Sequence, residues 1–123
     1  MDLPILYGVS NCDTCKRARA WLEDRGFEHR FHDFKKDGLP SAALDRWLKA
    51  LGWEALLNRQ GTTWRKLDAA AKSVVTDTPS ARAAMLAHAS LIRRPVVEWP
   101  NGEITVGFST DMFKQRTAAM AAA

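Results

Sequence analysis

The chain has 123 residues, 46% of them hydrophobic and 26% charged, the balance of one soluble globular domain large enough to bury a core. Its net charge of +4 implies a mild preference for anions, but no dense basic stripe interleaved with aromatics is present, so direct nucleic-acid binding is not expected. No apolar run is long enough to cross a bilayer and no export signal precedes "MDLPILYGVS", so no membrane association is expected and the cytoplasm, where thiols stay reduced, is the expected compartment.

The first apolar run, residues 3–7, reads as a buried strand, and residues 8–11 as a tight loop. From residue 13 to 25 the period becomes helical, with Cys15, Ala18 and Leu22 on one face, Trp21 beside them and Gly26 as terminator. Residues 27–34 read as a second strand with Phe27, His29, Phe31 and Asp33 on its more apolar side. Residues 39–92 read as a block of three or four short helices. Leu44, Trp47, Leu48 and Leu51 lie at helical spacing there, with Pro40 and Pro79 suited to first turns and Gly52 to a stop. After Pro95 the period returns to two: "PVVEW" and "EITVGF" flank Asn101-Gly102, a strong hairpin signal. Ser109 or Thr110 then caps a last helix over 111–117, followed by a frayed "AAMAAA" end. The order βαβ, helical block, ββα predicts a mixed sheet, with a parallel N-terminal pair beside the C-terminal hairpin. Most of the five tryptophans are expected in the core.

The only two cysteines, Cys12 and Cys15, sit in "VSNCDTCKRA" at the first strand-to-helix turn. Residues three apart share a helix face with Cβ atoms about 5–6 Å apart, and disulfides accept Cα separations of roughly 4.4–6.8 Å. The pair is therefore able to cycle between dithiol and disulfide without rebuilding the fold. Cys12 at the helix start meets free N–H groups and the positive end of the helix dipole, with Lys16 a nearby cation, and both favour a thiolate. Cys15, one turn inward on the apolar face, is expected to stay a thiol and to act as resolving partner. A zinc site wants four ligands, and only scattered His29, His32 and His88 are on offer, so no metal is expected. The alternative that both cysteines are merely small core residues stays open.

"ILYGVSNCDTCKRARAWL", "LIRRPVV" and the element order together resemble the ArsC (arsenate reductase) family, nearest its Spx/YffB-like branch with C-x-x-C, over about residues 3–117. The resemblance implies an α/β, thioredoxin-like βαβ–ββα core with a helical insertion at about 39–92, in one domain spanning 1–123. It implies Cys12 as nucleophile and Cys15 as the second redox cysteine. It further implies Asn11, Arg59, Arg93, Arg94 and Pro95 as the substrate side, with Arg59 and one of Arg93 and Arg94 matching the oxyanion arginines. Pro95 matches the cis-proline that faces the cysteine. The third oxyanion arginine, expected after the hairpin, is absent from "EITVGFST", which leaves a bound arsenate less compensated. Glutathione asks instead for cations at its carboxylates, which Arg59, Arg93 and Arg94 supply, and for a backbone edge at Arg94. The expected function is a glutathione-dependent thiol–disulfide reductase, with no bound cofactor and glutathione or another small thiol as co-substrate. The alternatives are an arsenate reductase and an Spx-like redox regulator that docks on RNA polymerase.

Overall fold

The structure, a computed structural model, describes residues 3–122. In chain order the elements are β1 (Ile5–Gly8), α1 (Asp13–Asp24), β2 (Arg30–Asp33), α2 (Phe34–Asp37), α3 (Ser41–Leu51), α4 (Trp53–Leu56), α5 (Thr62–Lys66), α6 (Ala69–Ser73) and α7 (Thr78–Ala87). A 3-10 turn (Ala89–Leu91), β3 (Val96–Glu98), β4 (Ile104–Val106) and α8 (Thr110–Ala122) complete it. Two compact units divide the chain: a sheet unit built from the segment up to Gly38 and the segment from Arg94 onward, and a helical unit, Leu39–Arg93.

The sheet order is β2-β1-β3-β4. β1 and β2 run parallel, whereas β1–β3 and β3–β4 are antiparallel, as the element order predicts. Leu6 is paired with Phe31 on one side and Val97 on the other, so these side chains share a face. On that face Leu6, Val97 and Trp99 meet Ala18, Trp21 and Leu22 of α1 and Phe113 of α8 in one buried cluster, with Phe27, Phe31 and Phe108 packed against it. Phe113 stands edge-on to Trp21, Trp99 and Phe108, at centroid distances of 5.8, 5.1 and 4.8 Å, the favoured geometry for aromatic quadrupoles. The indole N–H of Trp99 donates to the Thr105 hydroxyl at 2.9 Å, so burying it leaves no donor unmet.

The hairpin closes through Pro100, Asn101 and Gly102, with Gly102 at φ 91° and Trp99 N–H bonded to the Glu103 carbonyl at 2.9 Å. α1 ends in a two-bond reverse turn: Gly26 N–H reaches the Glu23 carbonyl and Phe27 N–H the Leu22 carbonyl, at 3.0 and 2.9 Å. Gly26 takes φ 75° there, a conformation only glycine adopts cheaply.

Several boundaries differ from the sequence expectation. The first strand lies at 5–8 rather than 3–7, so Gly8 is a strand residue. The second strand is Arg30–Asp33 alone. Phe27 belongs to the turn that ends α1, and Phe34 opens a short helix because the Asp33 side chain accepts the Lys35 N–H at 2.8 Å and caps it. The segment 39–93 holds five short α-helices and a 3-10 turn among the described residues, more than the three or four expected. The last helix continues to Ala122 instead of fraying after 117; residue 123 lies outside the described residues. Ser109 is its cap, its hydroxyl accepting the Met112 N–H at 3.1 Å.

In the helical unit α3 packs against α4 and α7, with Leu44, Trp47 and Leu48 buried. Pro40 is the residue just before the helix and Gly52 the one just after. Asp77 and Ser80 form a reciprocal capping box on α7, with Pro79 in its first turn. Leu57 and Ile92 form an antiparallel bridge, held by Asn58 N–H to the Leu91 carbonyl at 2.7 Å and Arg93 N–H to the Leu56 carbonyl at 2.9 Å. Trp21, Trp47 and Trp99 are core residues, while Trp53 and Trp64 are half-buried. Among the described residues no helix is long and apolar enough to cross a membrane.

Candidate active site

β1 ends at Gly8, the chain turns through Val9–Ser10–Asn11, and Cys12 stands at the N-cap of α1 with extended backbone (φ −93°, ψ 123°). Its carbonyl accepts the Lys16 N–H at 2.9 Å, so α1 grows directly from this residue. No side chain caps the helix, which leaves the first N–H groups facing the sulfur. Partial burial opposes ionisation of Cys12. The Cys15 N–H, the Cys15 thiol, the Arg94 charge and the Thr14 N–H outweigh that opposition and hold the Cys12 thiol below the ordinary cysteine value.

Cys15 lies one turn further, 1% exposed. Burial pushes its thiol up to about 12, against a Val9 N–H that donates to it, and the neighbouring Cys12 thiolate adds to the rise. Both cysteines are free thiols. The Cys15 sulfur lies against Gly8, where a Cβ would come within 2.5 Å of it. Strand and helix approach this closely only because residue 8 has no side chain.

Arg94 and Pro95 enter the same unit from the far side of the chain. The peptide between them is cis, Pro95 is buried and its carbonyl accepts the Gly107 N–H at 2.9 Å. The Arg94 side chain borders Gly8, its Cβ 3.8 Å from where a Cβ of residue 8 would stand, and its charge acts on both sulfurs. The structure thus brings Cys12, Cys15 and Arg94 together. Asn11 is exposed in the turn before Cys12. Arg59 and Arg93 belong to the helical unit, where the Arg59 guanidinium lies 5.5 Å from the Trp53 ring centroid and Arg93 holds the bridge through its backbone. Both are exposed. Among the described residues no group of three or more His, Cys, Asp or Glu is arranged to hold a metal ion.

Two residues at this end of the sheet had no assigned role in the sequence reading. Gly8 read as an ordinary loop glycine, although a glycine at the strand end before a Cys loop is itself a signal of close backbone approach. Asp33 read as one position on the apolar side of a strand. A carboxylate on the more apolar side of that strand was its only mark.

A mixed four-stranded sheet whose first helix begins at a cysteine and whose antiparallel partner strand follows a cis-proline defines a thioredoxin-like α/β protein. The ArsC family matches residues 7–115, and the chain belongs to that family. It is 43% identical to a solved protein named YFFB, with TM-score 0.86 over 92% of this chain and 97% of that one. A solved arsenate reductase (ArsC) related protein from Brucella melitensis is 48% identical, with TM-score 0.73 and 94% of each chain covered. An uncharacterized protein of Haemophilus influenzae is 38% identical over 104 residues, 85% of this chain and 90% of its own length.

Proposed function

We propose that this chain is a thiol-dependent oxidoreductase of the ArsC family, and specifically a glutathione-dependent thiol–disulfide reductase. The observation that carries the reading is the asymmetry of the cysteine pair. Cys12 is half-exposed at the start of α1, and Cys15 is buried one turn behind it.

In this reading the Cys12 thiolate attacks one sulfur of a substrate disulfide, forms a mixed disulfide and expels the other sulfur as thiolate. While Cys12 is a thiolate, its charge and hydrogen bond help keep Cys15 protonated. Once Cys12 is bound to substrate that charge is gone. Cys15 then gives up its proton, attacks the Cys12 sulfur and releases the second substrate thiol, leaving a Cys12–Cys15 disulfide. Two glutathione thiols reduce that disulfide in turn and leave as oxidised glutathione. Arg94 is the proposed partner for a glutathione carboxylate, beside Asn11 and the backbone at Pro95. The roles read for Arg59 and Arg93 rest on the family resemblance. Arsenate reduction has less support, because "EITVGFST", where the third oxyanion arginine is expected, contains none.

The test is intact mass after reduced wild type, Cys15→Ser and Cys12→Ser meet oxidised glutathione at neutral pH. A stable glutathione adduct on Cys15→Ser, a closed disulfide in wild type and no reaction in Cys12→Ser are expected. Full reductase activity in Cys12→Ser would sink the assignment.

A further inference from the structure

The charge of the chain is unevenly spread. The helical unit, Leu39–Arg93, holds eight Lys and Arg against four Asp and Glu, a balance equal to the +4 of the whole chain, so the sheet unit is neutral. Of those four carboxylates, Asp45 is paired with Arg82 at 2.6 Å. Asp68 and Asp77 turn to the Ala71 and Ser80 N–H groups of the helices they cap, at 2.7 and 3.0 Å, and Glu54 lies on α4. From the start of α5 to the end of α6, Arg65, Lys66 and Lys72 outnumber Asp68, the one carboxylate in that stretch.

α5 and α6 have five residues each, and among the described residues none of theirs is buried. Helices this short do not hold by their own backbone, and most draw their stability from a packed face. What ties these two down is small. The Thr63 and Ser90 hydroxyls share a hydrogen bond at 2.7 Å, Asp68 caps α6, and the Lys72 ammonium lies 6.0 Å from the Trp64 ring centroid, joining α6 to α5. Trp64 is half-buried, and Arg65 and Lys66 beside it are exposed. Directly after α6, Val74 is 64% exposed, more than any other large hydrophobic side chain among the described residues. Singly each of these is ordinary surface. Together, on a segment with no interior of its own, a tryptophan, an exposed valine and three cations make the composition of an interface.

We propose that the α5–α6 segment, through Trp64, Arg65, Lys66, Lys72 and Val74, docks an acidic peptide segment of a partner protein, one that presents an apolar side chain to Val74. A surface with this excess of positive charge attracts anionic segments and orients them before contact. Nucleic acid is the poorer fit, because single strands need open aromatic faces on which bases stack, and the Trp64 ring already carries Lys72. The surface is independent of the chemistry assigned to Cys12.

The experiment is selection of a displayed library of random dodecapeptides on the full chain, under reducing conditions so that neither thiol captures peptides. The selected pool is expected to be enriched about twofold or more in Asp and Glu and to share an aliphatic or aromatic position. The consensus peptide, synthesised with a fluorophore, is then titrated against exposed-site variants. Arg65→Glu combined with Lys66→Glu is expected to weaken binding about tenfold or more, and Val74→Ser about threefold. Raising the salt from about 0.05 M to about 0.5 M is expected to weaken the wild type further than the charge-reversed variant. Acid-poor selected peptides, or a consensus peptide held equally by the wild type and the charge-reversed variant, overturn the proposal. So does an oligothymidylate that binds more tightly than the peptide and is released by the same substitutions, which would make the surface one for nucleic acid.

Discussion

Cys12 and Cys15 are the same amino acid three positions apart, and the fold moves their acidities in opposite directions. Their linkage to stability follows. An unfolded cysteine ionises near pH 9, whereas folded Cys15 holds its proton up to about pH 12. Between those values the unfolded state is the one that loses the proton, so the stability that Cys15 contributes below pH 9 is lost as pH rises. Cys12 has the opposite sign: its lowered thiol adds stability as pH climbs through its folded value toward 9. Urea denaturation of reduced wild type and Cys15→Ala between pH 8 and about 10.5 reads the difference. Wild-type stability is expected to fall relative to the variant across that window, and parallel curves would rule out the buried-thiol account. The oxidised protein, with both thiols consumed, is expected to lack this slope.

At the scale of elements, the meeting of β1 with α1 depends on Gly8. A methyl group there would stand 2.5 Å from the Cys15 sulfur, and the sulfur rather than the strand backbone is the part free to give. Disulfide closure tolerates little displacement of its sulfurs. Gly8→Ala is therefore expected to slow closure of Cys12–Cys15 about tenfold or more while leaving the first attack by Cys12 within about threefold. Mass spectra of the wild-type cysteine pair would then show the glutathione adduct accumulating before the disulfide. Equal closure rates in the two proteins would mean that Cys15 has room to shift. The elements themselves were unequally legible. α1 could be read in full, because Cys15, Ala18, Trp21 and Leu22 repeat at helical spacing and Gly26 stops it. β2 could be read only in its middle. Phe27 faces the core as an apolar strand residue would, yet it is held by the reverse turn ending α1, and the Asp33 cap turns Phe34 into a helix.

On the scale of the whole molecule, the sheet unit is assembled from both ends of the sequence, and Phe113 of α8 ties them together through Trp21 on one side and Trp99 on the other. It is fully buried, so Phe113→Ala is expected to cost about 3–5 kcal/mol in chemical denaturation. A loss under about 1 kcal/mol would contradict the described core. The βαβ–ββα order, the hairpin at Asn101-Gly102, the helical character of the middle segment and the helix-start cysteine pair were all determined by the sequence alone. Each rests on a local period, a turn residue or a spacing, and such signals act within a few residues. The tertiary structure decided what lies against the pair: the absent side chain of Gly8 and the charge of Arg94. Those contacts depend on strand order and register, which join residues far apart in the chain and leave no periodic trace in it.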